Sequence, residues 1–68
     1  MKATELKNGA KVLHVKYGRE YKIVSGNMRM KDSEKGWIDA VTYAPLYENE
    51  FEMFTREKES FLKEFELI

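Results

Sequence analysis

The sequence predicts a mainly β (α+β) domain: a small antiparallel barrel or twisted sheet of four to five strands with one short C-terminal helix. Three observations carry this. Apolar and polar residues alternate along residues 11–17 and 20–25, the period of a half-buried strand. The four glycines, Gly9, Gly18, Gly26 and Gly36, stand apart, each at a break in the pattern. Only the last segment places Phe61, Leu62 and Phe65 on one helical stripe.

Taken in order, residues 1–10 form a polar lead-in, with a brief helical turn over residues 3–7 and a turn signal at Asn8-Gly9. In the first strand, Leu13, Val15 and Tyr17 share one face and Val12, His14 and Lys16 the other. Gly18-Arg19 makes a tight turn into a second strand with Tyr21 and Ile23 on one face, so the pair reads as a hairpin. Ser25-Gly26-Asn27 interrupts the alternation, and Met28 and Met30 continue it past a bulge. Residues 32–36 are polar, end in glycine and read as a loop. Residues 37–44 form a third strand with apolar residues on both faces, the mark of a central strand or of an exposed binding face. Pro45 stops it. Residues 51–56 give a fourth strand, Thr55 is the expected helix N-cap, and residues 66–68 leave the helix as a final short strand.

The bulk properties bound the function. A chain of 68 residues makes one domain, 1–68, which buries only about 60% of its unfolded surface and is marginally stable. There is no cysteine, so disulfides and thiolate metal sites are excluded. No apolar run approaches the roughly 20 residues that span a bilayer, and residues 1–10 lack a signal-peptide core. A cytoplasmic protein is expected. The net charge is zero, yet residues 1–36 hold nine Lys/Arg against four Asp/Glu and residues 37–68 three against eight, so the halves carry +5 and −5. Pairing of strands from the two halves accounts for this; a basic face for an acidic partner is the sharper alternative.

Catalytic groupings are sparse. His14 is the one histidine and reads as an ordinary polar residue on the outer face of the first strand. A zinc site needs three or four ligands, so no metal and no cofactor is expected. Ser25, Ser33 and Ser60 stand in no nucleophile-elbow context. Glu48, Glu50, Glu52 and the helix carboxylates Glu57, Glu59, Glu64 and Glu66 are spaced as solvated faces. The chain reads as a non-enzyme.

Two groups can carry binding. Tyr17, Met28, Met30, Trp37, Tyr43 and Tyr47 are residue types enriched where proteins meet, although Trp37 and Tyr43 also suit the core. Lys16, Arg19, Lys22, Arg29, Lys31 and Lys35, with Tyr17 and Tyr21 interleaved, match the basic groove and stacking rings of single-strand-binding barrels. Alternating strands always interleave charges with core rings, and net neutrality opposes strong phosphate binding.

Two stretches carry a resemblance. Val12-Leu13-His14-Val15-Lys16-Tyr17-Gly18-Arg19-Glu20-Tyr21-Lys22-Ile23-Val24 resembles the His-x-Lys-Gly-x-x-Tyr-x-Val opening of a family of small proteins of unknown function, with Tyr17 standing between the Lys and the Gly. Trp37-Ile38-Asp39-Ala40-Val41-Thr42-Tyr43, with the ending Arg56-Glu57 to Phe61, Phe65, Glu66 and Leu67, is similar to short phage and prophage proteins that end in Arg-Glu-x-x-x-Phe-x-x-x-Phe-Glu-Leu. The resemblance implies an SH3-like barrel and no established activity. The expectation is a protein-binding module, a phage-encoded modulator of a host protein, with Tyr17, Met28, Met30, Trp37 and Tyr47 as candidate contacts. The alternative is a nucleic-acid-binding barrel using the six basic residues. A monomer, or weak self-association through an edge strand, is expected.

Overall fold

The protein is described by a computed structural model over residues 1–46 and 52–68. A 3₁₀ turn at Ala3–Glu5 leads into β1 (Lys11–His14), β2 (Arg19–Asp32) and β3 (Gly36–Pro45). β4 (Phe54–Glu57), α1 (Lys58–Glu64) and β5 (Phe65–Leu67) follow. The strands form one antiparallel sheet in the order β4-β3-β2-β1-β5. Phe51, the expected start of the fourth strand, lies outside the described residues.

This order forces curvature. Laid flat, the edges of a five-stranded sheet stand about 19 Å apart, four gaps of about 4.8 Å. The chain passes from edge β4 to edge β5 through a helix of 7 residues, which advances only about 10 Å. The sheet therefore curls into a barrel-like shape, and α1 closes the gap between its edges. The core inside comprises Val12, Ile23, Val41, Tyr43, Phe61 and Phe65, with Met1, Leu6, Ala10 and Tyr21 packed against it. The Met1 ammonium donates to the carbonyls of Leu62 at 2.6 Å and Phe65 at 3.2 Å, fastening the first residue to the end of α1.

β1 is shorter than its alternation suggests, and its faces are reversed. The Gly18 N–H donates to the His14 carbonyl at 2.8 Å, with Gly18 at φ +66°, so the chain turns over residues 15–18. Val12 and His14 point into the core, while Val15 and Tyr17 stand exposed in the turn. His14 is thus not an outer-face residue; it is 4% exposed.

The break at Ser25-Gly26-Asn27 is a bulge, with register shifts between Ile23 and Ser25 and between Ser25 and Met28. Gly26 has a specific reason to be glycine. The N-terminal segment crosses β2 there, and an added Cβ would lie 2.5 Å from the Leu6 carbonyl oxygen. The Gly26 N–H donates to Asn8 Oδ1 at 3.1 Å, giving a bulge amide a partner.

The 32–36 loop is a hairpin turn. The Asp32 carboxylate accepts from the N–H groups of Glu34 at 2.8 Å and Lys35 at 3.0 Å, and Gly36 takes φ +79°. These backbone bonds, Lys35's first, hold the Asp32 carboxyl below its ordinary value. β3 is central, with Ala40, Val41, Tyr43, Ala44 and Pro45 all buried. Thr55 does not cap the helix; it pairs with Thr42 inside β4, and Glu57 occupies the N-cap position. Pairing with β3 holds the chain extended through Glu57, so the helix starts two residues later than the capping signal implies. Among the described residues no helix is long and apolar enough to cross a membrane.

Candidate functional site

A chain of aromatic rings runs from the core to the surface. Phe61 and Phe65 stack at 4.1 Å between centroids; Phe65 meets His14 at 4.7 Å and Tyr43 at 5.0 Å. On one side Tyr17 stacks on His14 at 5.0 Å. On the other Tyr43 meets Tyr21 at 5.2 Å and Phe54 at 5.7 Å. The register explains the convergence. Phe54 lies opposite Tyr43, which lies opposite Ile23, two residues beyond Tyr21, and His14 lies opposite Phe65. Between the rims, Tyr17 and Phe54, opens a cleft of about 220 Å³ floored by His14, Tyr43 and Phe65.

Arg56 supplies the charge of this cleft. Its Nε donates to Tyr43 Oη at a long 3.4 Å and its Nη1 to Ser60 Oγ at 3.3 Å. The guanidinium carbon lies 5.5 Å from the centre of the Phe65 ring. Glu64 Oε2 stands 4.0 Å from Arg56 Nη1 and 3.4 Å from His14 Nε2. The latter distance suits an ion pair, but the alignment makes no hydrogen bond, and His14 Nε2 is buried with no hydrogen-bond partner among the described residues. Such a nitrogen costs stability.

A larger cleft of about 470 Å³ lies between the β2–β3 turn and α1. Ile38 and Leu62 are its apolar contacts; the other lining residues, Lys35, Asp39, Glu57, Lys58 and Glu59, carry charges of both signs. Lys35 and Glu57 are ion-paired at 3.5 Å. Two cations and three carboxylates mixed along one wall, one pair of them already bonded, present no single sign of charge to a ligand, so the smaller aromatic cleft is the better-built site.

The candidate contacts do not converge. Tyr17, 67% exposed, forms the cleft rim. Met28 and Met30 are half-buried on one face of the distal β2–β3 arm, opposite Ala40 and Ile38, and the Thr42 hydroxyl bonds the Met28 sulfur. Trp37 is on the other face, 65% exposed and so outside the core, unlike Tyr43. Tyr47 lies outside the described residues. The basic set is also divided. Lys16 lies over the Tyr17 ring at 5.4 Å, and Arg19 stands opposite His14. Lys22 sits opposite Lys11. Arg29 is opposite Asp39, Lys31 lies 5.8 Å from the Trp37 ring, and Lys35 is in the ion pair with Glu57. Arg19 and Arg29 are ten residue steps apart along β2, about 30 Å in extended chain, so the two ends of β2 form separate surfaces.

Sequence reasoning missed His14, Phe54 and Arg56 as cleft residues. The period-two spacing of Phe54 and Arg56 puts them on one face, but nothing local says that this face meets Tyr43. Among the described residues no group of three or more His, Asp or Glu is placed to hold a metal ion. Compared with protein-family models, curated proteins and solved structures, the chain matches none.

Proposed function

We propose that the chain is a non-catalytic protein-binding module whose recognition site is the aromatic cleft between Tyr17 and Phe54. The observation that carries this reading is the cleft itself, where the exposed rings of Tyr17 and Phe54 flank the buried Tyr43 and Phe65 and an arginine bonded to Ser60. Aromatic residues and arginine are enriched at binding hot spots, the rings because they bury large area and arginine because its planar fork makes paired hydrogen bonds. At about 220 Å³ the cleft lies below the range of about 300–1,000 Å³ that suits drug-sized ligands, which favours a side chain presented by a partner. The strand order, with a helix closing the gap between edge strands, supports the SH3-like barrel reading. The likeness of the C-terminal stretch to phage proteins favours a bacterial host protein as partner.

The test places a photo-crosslinking benzoylphenylalanine at Tyr17 and irradiates the protein in a bacterial lysate. One discrete protein adduct, lost in Phe54→Ala, supports the reading. Diffuse labelling, or an adduct indifferent to Phe54, rejects it.

A second reading, single-stranded nucleic acid on the distal arm, is favoured by Trp37 exposed beside Lys31 on the face that also holds Arg29. Exposed rings with flanking cations stack bases and meet phosphates. Quenching of the single tryptophan by an oligothymidine, weakening steeply with salt, is its signature.

A further inference from the structure

We infer that the cleft accepts an acidic segment of its partner: one apolar or aromatic side chain seated among Tyr17, Tyr21, Tyr43 and Phe54, with a neighbouring carboxylate set on Arg56. The inference rests on the protein-binding reading above and adds the chemistry of the partner.

The charge of the lining decides the sign. Arg56 is the fixed charge among the described residues that line the cleft. Lys16, above the Tyr17 ring, brings a second cation to the rim. A cationic side chain entering here meets a guanidinium in a partly desolvated site, where like charges repel strongly. A carboxylate meets it with complementary charge and geometry, since a guanidinium presents a planar fork of donors. Arg56 is already oriented by Tyr43 Oη and Ser60 Oγ and lies against the Phe65 ring, so little freedom is lost on binding.

The present partner of Arg56 is poorly placed. Glu64 Oε2 is at the outer limit of an ion pair with Arg56, 4.0 Å, and nearer to His14 Nε2, 3.4 Å. One carboxylate is divided between two nitrogens, and His14 Nε2 has no hydrogen-bond partner among the described residues. An incoming carboxylate on Arg56 releases Glu64 to close onto His14, giving the buried nitrogen a partner. Ligand binding thereby repairs a defect of the cleft.

The experiment is an NMR titration of the ¹⁵N-labelled 68-residue protein with three capped peptides: acetyl-Glu-Glu-Phe-Glu-Glu-amide, its Gln counterpart and its Lys counterpart. The Glu peptide is expected to shift the amides of Tyr17, Tyr21, Tyr43 and Phe54 and the side-chain Nε–H of Arg56. The Gln peptide binds about tenfold more weakly, the loss of one charge-assisted contact, and the Lys peptide more weakly still. Arg56→Gln reduces the Glu peptide to the level of the Gln peptide, and Phe54→Ala weakens all three. Should Arg56→Gln disturb the fold, the wild-type Arg56 Nε–H shift and the order of the three peptides still decide. Equal affinities, or preference for Lys, at the cleft overturn the acidic specificity and leave the protein-binding reading standing. Shifts from no peptide, with an eight-nucleotide oligothymidine shifting the same resonances or none, overturn both. Dimer formation in sedimentation, in place of peptide binding, assigns the cleft to a second copy and overturns the inference.

Discussion

Replacing Gly26 by alanine tests how the N-terminal segment locks onto the bulge of β2. The added methyl would sit 2.5 Å from the Leu6 carbonyl oxygen and 3.0 Å from its carbon. Relief to an ordinary contact of 3.4 Å requires a shift of 0.9 Å, and even the tightest tolerated contact, 3.0 Å, requires 0.5 Å. The obstacle is backbone, so no rotamer change removes it. Movement of the segment also strains the bond from Gly26 N–H to Asn8 Oδ1 and that from Gly9 N–H to the Ile23 carbonyl at 2.7 Å. Overpacking of this kind costs about 1–3 kcal/mol. Against it stands about 0.4–1 kcal/mol gained from a stiffer unfolded chain. The difference centres on a net loss of about 1.3 kcal/mol, a large part of the total for a domain this small, and at that value the melting temperature falls by about 5–10 °C. Urea denaturation followed by circular dichroism measures it. Gly18→Ala is the comparison: nothing lies within 4 Å, but its φ of +66° is left-handed, so it loses about 1–2 kcal/mol through conformation alone. The two differ in mechanism. Asn8→Ala placed on Gly26→Ala should cost less than it does alone, because the bond is already disturbed, whereas on Gly18→Ala it should add fully. A Gly26→Ala variant as stable as the parent refutes the reasoning, because the Leu6 backbone would then be yielding without cost.

Phe65→Ala removes a ring that is 1% exposed and stacks on Phe61; the expected loss of about 3–5 kcal/mol approaches the whole stability, and the variant should show little cooperative unfolding. His14→Leu replaces a buried ring, whose Nε2 has no hydrogen-bond partner among the described residues, by an apolar side chain of closer volume than phenylalanine, so its loss by urea midpoint should stay below about 1.5 kcal/mol; a larger loss refutes the assignment of that nitrogen as a liability. Trp37, the one tryptophan, is 65% exposed, so its emission should barely move on unfolding while tyrosine and far-ultraviolet signals change. The Asp32 carboxyl titrates below the ordinary 3.8 because the Lys35 and Glu34 N–H groups bond the charged form. Its contribution to the turn is therefore present above that value and lost as pH falls through the lowered one. The amide resonances of Glu34 and Lys35 should move in that acid window and stay still in Asp32→Asn.

The turns and the pairings closest in sequence were legible from local signals. Gly18 and Gly36 mark the turns before β2 and β3, and Ser25-Gly26-Asn27 marks the bulge. Apolar residues on both faces of residues 37–44 pointed to a central strand or an exposed binding face; β3 is largely buried from Ala40 to Pro45, while Trp37 at its start is exposed. The facing of β1 was not legible. Alternation is symmetric, so it cannot say which face is inside, and Val12 with His14 competes evenly with Leu13, Val15 and Tyr17. The decision came from β5 and α1: the Val15 N–H bonds the Glu64 carbonyl at 3.1 Å, and Phe65 packs on His14. The candidate contacts were legible one by one, as residue types, but not as a set. Tyr17 belongs to the cleft and Trp37 to the distal arm, because β2 is 14 residues long and carries its two ends far apart.

Local chemistry by itself determined the β class, the glycine turns, the terminal helix and the exclusion of cysteine chemistry, since each depends on residues adjacent in the chain. Only tertiary structure decided that His14 is buried, that the sheet curls until α1 joins its edges, and that Phe54 and Arg56 line one cleft with Tyr17 and Tyr43. Those facts depend on residues distant in the chain, 37 positions apart in the case of Tyr17 and Phe54. Their energies come from burial and ring packing, which carry no signature in the spacing of either partner.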